Sequence, residues 1–327
     1  MNWHGRRVLV TGAGGFIGSH LAERLVELGA TVRALVHYNA LGTWGWLDPS
    51  PLKDQMEVMA GDVCDRDSTL RAMEGVDTVF HLAALIAIPY SYHAPASYLR
   101  TNVEGTLNVL QAAREHGVGC VVHTSTSEVY GTARYVPINE THPLQGQSPY
   151  SASKIAADKM VEAFHLSFDL PTVTVRPFNT FGPRQSARAV VPTIITQCLS
   201  GRPVRLGNLH PTRDLNYVAD TVEGFVQAAS VPEAIGQTVN VGSGREISVR
   251  DLAAVIAGLT GRSLALESDV QRVRPAGSEV ERLVADNGLA RKLLGWEPRI
   301  SLEDGLARTV EWIRTNLQWY RPQIYAV

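Results

Sequence analysis

Cysteine is scarce. Cys64, Cys120 and Cys198 are the only three in 327 residues, odd in number and far apart, without a Cys-x-x-Cys pair. That spacing argues against a disulfide framework or a zinc site and points to a reducing compartment, and no metal is expected. Long apolar runs are missing as well. No stretch approaches the ~18 apolar residues of a membrane span, and the start Met-Asn-Trp-His-Gly-Arg-Arg leads into a strand pattern without a signal-peptide cleavage site. The expectation is a soluble cytoplasmic protein. Neither sign of charge is in excess: 30 Lys and Arg against 32 Asp and Glu leave a formal net charge of −2, with basic residues scattered among acidic ones. Without a polybasic stripe, neither nucleic acid nor a membrane surface is an expected partner. Internal repeats and low-complexity linkers are lacking too. The 45% hydrophobic and 19% charged residues suit two joined domains with proper cores.

What is present is an alternation of strand-like runs and helical periods. Val8-Leu9-Val10 leads into Thr11-Gly12-Ala13-Gly14-Gly15-Phe16-Ile17-Gly18, then a helical spacing through Leu21, Leu25 and Leu28. A strand, a glycine turn and a helix in that order suit a dinucleotide. Small residues let the backbone approach a pyrophosphate, and the helix N-terminus offers it unpaired N–H groups. The second strand, residues 31–36, runs into His37-Tyr38-Asn39. Neither the acid that selects NAD nor an arginine pair for a 2′-phosphate stands there, so cofactor choice stays open at this point. Residues 38–54 carry Trp44, Trp46, Pro49 and Pro51, a loop too long and aromatic for a plain connection. It either covers the adenosine end or is buried on a dimer face. After a third strand at 57–60, Asp62 is placed either to read an adenine amino group or to cap a helix. A fourth strand from Asp77 runs through His81 into Leu82, Ala83 and Ala84, the alanines small enough to pass under a nicotinamide ribose. His81 reads as a satisfied histidine at a strand end rather than a catalytic base. A helical period covers residues 95–116 with Asn102 near its middle, and residues 120–124 form the fifth strand.

Directly after that strand, Ser125-Thr126-Ser127-Glu128-Val129-Tyr130-Gly131 places three hydroxyls and a carboxylate where parallel α/β sheets gather ligands. Capping and turn hydrogen bonds would use the same residue types. Then Ser148-Pro149-Tyr150-Ser151-Ala152-Ser153-Lys154 sets Tyr150 and Lys154 four apart, so a helix starting after Pro149 raises both from one face. A phenol with an ordinary pKa near ~10 is a poor base at neutral pH, and an adjacent ammonium favours the phenolate. With a sixth strand at 171–176, residues 1–176 read as a dinucleotide-binding domain of the α/β class, a doubly wound parallel (Rossmann) sheet. Residues 177–327 read mainly as a smaller C-terminal α/β substrate domain. A strand near 237–241 rejoins the first sheet, and a cleft lies between the two regions.

Taken together, Gly12-x-x-Gly15-x-x-Gly18, Asp62-Val63, Asn102, Ser125-Thr126-Ser127-Glu128, Tyr150-x-x-x-Lys154 and Arg176-Pro177-Phe178-Asn179-x-x-Gly182-Pro183 resemble the extended short-chain dehydrogenases/reductases, the NAD-dependent epimerase/dehydratase family. The resemblance spans nearly the whole chain. The runs Ser125 to Gly131, around Tyr150, and Arg176 to Arg184 look most like nucleotide-sugar 4,6-dehydratases of the legionaminic acid pathway type. UDP-glucuronate decarboxylases share much of the set, including Ser127.

The resemblance implies NAD as cofactor, NADP not being excluded, held by Gly12, Gly15, Phe16, Ile17, Gly18, His37, Asp62, Val63, Leu82, Ala83, Ala84, Asn102, Tyr150, Lys154 and Pro177. It implies a nucleoside-diphosphate sugar as substrate, with Ser91, Asn179, Arg184, Arg213 and Arg274 as ligands, and a homodimer packed through the helices at about 95–116 and 149–168. Catalysis would fall to Thr126, Ser127, Glu128, Tyr150 and Lys154. Tyr150, helped by Thr126, would take the O4 proton while C4 gives up hydride, with Lys154 holding the ribose and tuning the phenol. A 4,6-dehydratase then needs a base at C5 and an acid for the C6 hydroxyl. Several such enzymes carry an aspartate just before the glutamate; with Ser127 in that place, Glu128 would serve both steps. UDP-glucuronate decarboxylation and 4-epimerisation are the enzymic alternatives, and a non-catalytic nucleotide-sugar sensor the distant one. Beside the motif the sequence places no Arg or Lys to hold a substrate carboxylate, which favours the dehydratase.

Overall fold

The apolar, β-branched runs become strands that are covered on both faces. In the computed structural model, which describes residues 2–322, the strands β1 (Arg7–Thr11), β2 (Thr31–His37), β3 (Met56–Gly61), β4 (Thr78–His81), β5 (Cys120–Thr124) and β6 (Thr172–Pro177) pair in parallel. Residue 1 and residues 323–327, the outer ends of the two expected regions, lie outside the described residues. Side chains alternate across the sheet as the strand period requires. Leu9, Val79 and Val121 enter one core with Val109, Ala113 and Val161, while Val8, Val10, Val122 and Val173 enter the other. The first core is closed by α2 (Arg66–Met73), α5 (Gly105–Glu115) and α6 (Pro149–Phe168), the second by α1 (Phe16–Glu27) and, later in the chain, α8 (Val218–Ser230).

Between α2 and α5 the chain forms α3 (Ile88–His93) and α4 (Pro95–Tyr98), and a π-type turn at Leu99–Glu104 joins α4 to α5. The single helix expected over 95–116 therefore has one widened turn, and Asn102 sits in it.

After β6 come β7 (Asn179–Phe181), α7 (Val190–Leu199), β8 (Val204–Leu206), β9 (Thr212–Arg213) and β10 (Leu215–Tyr217). The chain then returns: α8 (Val218–Ser230) packs beside α1, and β11 (Thr238–Val241) adds to β6, giving a seven-stranded sheet of order β3-β2-β1-β4-β5-β6-β11. The return begins with α8, before the strand. The remainder, β12 (Ile247–Ser248), α9 (Val249–Thr260), β13 (Leu266–Ser268), β14 (Arg282–Leu283) and α10 (Leu302–Thr315), builds a smaller layer in which α7, α9 and α10 pack together. Strand order reverses between β1 and β4, so their C-terminal ends leave a crevice at the position where such sheets bind ligands. No described helix is long and apolar enough to cross a membrane.

The tryptophan-bearing loop has a definite place. The Trp46 N–H donates to the Gly14 carbonyl at 2.9 Å, and the Trp46 ring lies edge-on to Trp312 on α10 and to Trp319. Residues 45–47 thus sit on the glycine turn and bind it to the end of the described chain.

Candidate active site

Each glycine of the first turn meets a different demand. Gly12 has φ +71°, and a Cβ there would lie 2.8 Å from the Ala83 nitrogen; a Cβ on Gly18 would lie 2.2 Å from the Gly12 carbonyl oxygen. Both are fixed by backbone packing of the crevice itself. Gly15 is exposed, caps α1 without a side-chain hydrogen bond and meets only the Gly12 oxygen at 3.2 Å. It leaves the helix N-terminus bare, with no acidic residue in its first turn. A bare N-terminus at a sheet switch point fits the pyrophosphate of a dinucleotide. Half-buried Phe16 and Ile17 follow it, His37 ends β2 exposed, and Val63 is buried behind Asp62.

Opposite the turn, the Leu82 and Ala83 N–H groups both donate to Thr11 Oγ1 at 3.1 Å. His81 Nδ1 meets the same oxygen at 2.9 Å and its Nε2 meets Thr106 Oγ1 at 3.0 Å. The Thr106 hydroxyl donates to the Asn102 carbonyl, so His81 carries its proton on Nε2 and is a satisfied structural group, as the sequence suggests. Burial, first, with His123 and the Lys154 ammonium as its neighbours, holds it well below its ordinary range.

Two expected cofactor ligands are engaged locally. Asn102 uses its amide on the Leu85 carbonyl (3.0 Å) and Ser153 (2.9 Å) and its oxygen on the Leu85 N–H (2.8 Å). It ties the Leu82–Leu85 segment to α6 and shapes the crevice through backbone. Asp62 accepts from the Cys64 N–H at 2.9 Å, while the cap of α2 is Asp65. Ala84 continues the crevice wall, and Pro177 closes β6 opposite Val241.

The catalytic candidates converge at the ends of β5 and α6. Ser148 and Ser151 form a capping box with Pro149 in the first turn, which fixes where α6 begins and brings Tyr150 onto its inner face. Tyr150 is buried beside Thr126 and sets its ring edge-on to Tyr98. Burial pushes its phenol above the ordinary value, the Thr126 hydroxyl pulls it down, and the Glu128 charge pushes it up. Thr126 also caps the short turn Ser127–Tyr130 by accepting from the Glu128 N–H. Ser127 and Glu128 are both buried, Glu128 only 8% exposed.

One electrostatic expectation needs correction. The Lys154 ammonium donates to the Thr124 carbonyl at 2.6 Å, and the groups acting most on the Tyr150 phenol are Thr126, Glu128, Tyr98 and Asp158 rather than Lys154. A buried ammonium takes the nearest acceptor. Burial pushes it down to about 8, and Asp158 pulls it up.

The substrate-side candidates divide. Arg213 and Arg274 meet on one carboxylate, Glu279, at 3.6 and 3.7 Å. Burial pushes the Arg213 guanidinium down, and among charges Glu128 pulls it up most. A cation therefore does stand beside the motif, where the sequence offered none. Asn179 Oδ1 is buried without a partner. The two guanidinium groups brought together on one carboxylate fit a diphosphate sugar. Arg184 is elsewhere, bidentate on Glu23 of α1 at 2.9 Å and also donating to Ser19. Ser91 is fully buried and donates to the Ile88 carbonyl within α3. Neither points a free group at a substrate. Glu279 was missed because its role depends on two arginines brought to it by the fold.

A family model described as GDP-mannose 4,6 dehydratase matches residues 9–309. The chain is 37% identical to a UDP-glucose 4-epimerase of Mycolicibacterium smegmatis, over 95% of this chain and 100% of the relative. It is 34% identical to a dTDP-glucose 4,6-dehydratase of Streptomyces griseus, over 98% and 97%. Among solved structures, DesIV, a dTDP-glucose 4,6-dehydratase of Streptomyces venezuelae with NAD and TYD bound, superposes with a TM-score of 0.87 at 32% identity, covering 97% of this chain and 99% of that one. With Tyr150, Lys154, Thr126 and the glycine turn gathered at one sheet crevice, the chain belongs to the extended short-chain dehydrogenase/reductase family of nucleotide-sugar epimerases and dehydratases.

Proposed function

We propose that the protein is a nucleotide-sugar 4,6-dehydratase, a lyase that converts a nucleoside-diphosphate hexose to its 4-keto-6-deoxy product. The observation that carries this reading is Glu128, a buried carboxylate set beside Tyr150 and Thr126 at the end of β5. Turnover at C4 alone needs a base at O4, whereas elimination needs a second group at C5. The likeness of the Ser125–Gly131, Tyr150 and Arg176–Arg184 runs to the legionaminic-type dehydratases supports it.

NAD is the cofactor; when bound it accepts hydride from C4 and returns it to C6. The bare N-terminus of α1 holds its pyrophosphate, and Lys154 holds the ribose. Tyr150, helped by Thr126, is the base that removes the O4 proton. The resulting 4-keto group makes the C5 hydrogen acidic. Glu128 takes that proton and passes it to the departing C6 hydroxyl, so water leaves; as hydride comes back to C6, Glu128 supplies C5 with a proton drawn from solvent and Tyr150 releases the O4 proton to solvent. Arg213, Arg274 and Asn179 hold the diphosphate. The active form is a homodimer packed through α5 and α6.

Incubation with a panel of nucleotide sugars, followed by product masses, tests the reading: loss of water is expected from a neutral hexose nucleotide. Glu128→Gln should still transfer hydride from C4 but stall with reduced cofactor and a 4-keto sugar. Arg213 beside Glu128 favours one second reading, decarboxylation of a UDP-hexuronic acid, since a cation there can hold a substrate carboxylate. Release of carbon dioxide from such a substrate, with no water lost from any neutral hexose nucleotide, would establish that reading instead.

A further inference from the structure

Beneath the catalytic pair lies a buried polar chain that the reaction steps do not use. Asp158 stands one helical turn beyond Lys154 on α6 and is 5% exposed. Its carboxylate accepts from Ser125 at 2.8 Å, from Arg176 at 3.0 and 3.2 Å, and meets His123 Nε2 at 3.1 Å. Arg176 continues to the Tyr130 hydroxyl at 3.0 Å, which donates to Asn240 at 2.7 Å. Asn240 ties to the Ile138 carbonyl and, through its N–H, to Glu140.

The charges in this chain are unequal. Lys154 and Arg176 are buried cations, and Asp158 is the carboxylate bonded between their two elements. His123 is no third cation, since burial and then the Lys154 charge lower it to about 4. Arg176 pairs with that carboxylate directly, whereas Lys154, one helical turn back on the same inner face, is bonded to the carbonyl of Thr124, the neighbour of the Ser125 that Asp158 holds; the network thus sets one buried carboxylate between a paired cation and one without a carboxylate of its own.

We propose that Asp158 is a positioning residue for C4 oxidation: fixed by Arg176, Ser125 and His123, its carboxylate keeps Lys154 protonated beside the Tyr150 site. It acts through Lys154 and touches neither substrate nor cofactor. The proposal rests on the assignment of C4 oxidation to Tyr150 and Lys154, a step shared by dehydratase, decarboxylase and epimerase.

The remaining titratable groups around the pair are Tyr150 on α6, His81 on β4, Glu128 and Tyr130 on the turn after β5, and Glu140 through Asn240. A cavity of about 340 Å³ opens on Asp158 and Arg176, lined also by Glu140, Lys159, Glu162 and His165 but by neither Tyr150 nor Lys154. Asp158 is the one charge that raises Lys154 against its burial.

The test follows the Lys154 Cε resonance by NMR in the substrate-free protein, assigned by its loss in Lys154→Met. The wild-type midpoint is expected at about 8, and Asp158→Asn should move it down by roughly one pH unit or more. In single turnover with a nucleotide hexose, the alkaline limb of cofactor reduction should move by the same amount, making the rate loss greater at pH 8 than at pH 6. Asp158→Asn combined with Arg176→Met removes the ion pair together and keeps a folded protein for the same titration should the single variant fail to fold. An unmoved Lys154 midpoint, or a rate loss equal at all pH values, overturns the proposal. If the wild type oxidises no nucleotide sugar while the midpoint still moves, the functional reading fails and the Asp158–Lys154 coupling stands.

Discussion

Lys154 shows how a single residue can serve the reaction at the expense of the fold. Burial lowers its ammonium from 10.5 to about 8, so below pH 8 the folded state holds a charge that the unfolded chain holds more easily. Between about 8 and 10.5 the unfolded state binds more protons, and stability rises with pH until the penalty vanishes above the unfolded value. Lys154→Met should therefore raise stability at pH 7, by up to about 3 kcal/mol less about 1 kcal/mol for the lost hydrogen bond to Thr124. The gain should disappear above pH 10.5, a dependence that denaturant midpoints across pH would measure. Tyr150→Phe should abolish C4 oxidation and leave dinucleotide binding nearly intact; normal turnover would sink the assignment. The glycines separate by mechanism. Gly15→Val should fold and lose dinucleotide binding, because only its exposed face changes, whereas Gly18→Val collides with the Gly12 carbonyl and should fail to fold. Retained nicotinamide on purified Gly15→Val would count against that division.

At the level of elements, α6 was legible because its signals are local. Ser148, Pro149 and Ser151 set its start, and the four-residue spacing set its inner face. Ser148→Ala should cost about 1 kcal/mol and lower the rate of C4 oxidation, since the same turn carries Tyr150; a loss of stability with an unchanged rate would uncouple the cap from catalysis. The strands of the main sheet and the return of residues 238–241 were legible by the same kind of evidence. The widened turn at Leu99–Glu104 was not. Its apolar spacing reads as a continuous helix, and what widens it is seen only when Asn102 is found bonded to Leu85 and Ser153, 17 and 51 residues away in the chain. The same limit hid the fates of Arg184 and Ser91. Motif position suggested substrate, while Glu23 and a helix carbonyl, both supplied by folding, had already engaged them.

On the scale of the whole molecule, the two regions are joined by contacts that no local pattern encodes: Arg184 to Glu23 on α1, and Arg24 to Glu223 between α1 and α8. One face is left apolar. Leu99 is 58% exposed beside a groove formed with Val103, Leu107 and Met160 on the turn, α5 and α6. Packing of this face against its copy would give the proposed homodimer, and Leu99→Asp should convert it to monomer without altering the fold. Light scattering of the wild type at micromolar concentration should show the dimer; a monomer there would refute it.

The cluster of Trp46, Trp312 and Trp319 gives the protein a built-in optical reporter. The indole that rides on the residues above the glycine turn is packed edge-on by two others from the far end of the described chain. Any ligand that shifts the Gly14–Trp46 hydrogen bond must change how these three rings face one another. Tryptophan emission should therefore change in wavelength when a dinucleotide enters, and the Trp46→Phe variant should silence most of that signal. The arrangement also sets an order of assembly during synthesis. Because the loop over the glycine turn is braced by side chains some 260 residues later, from Trp46 to Trp312, the dinucleotide crevice gains its cover only when α10 has been made, so a ribosome-bound chain stopped before Trp312 should capture dinucleotide poorly even with its entire parallel sheet in place.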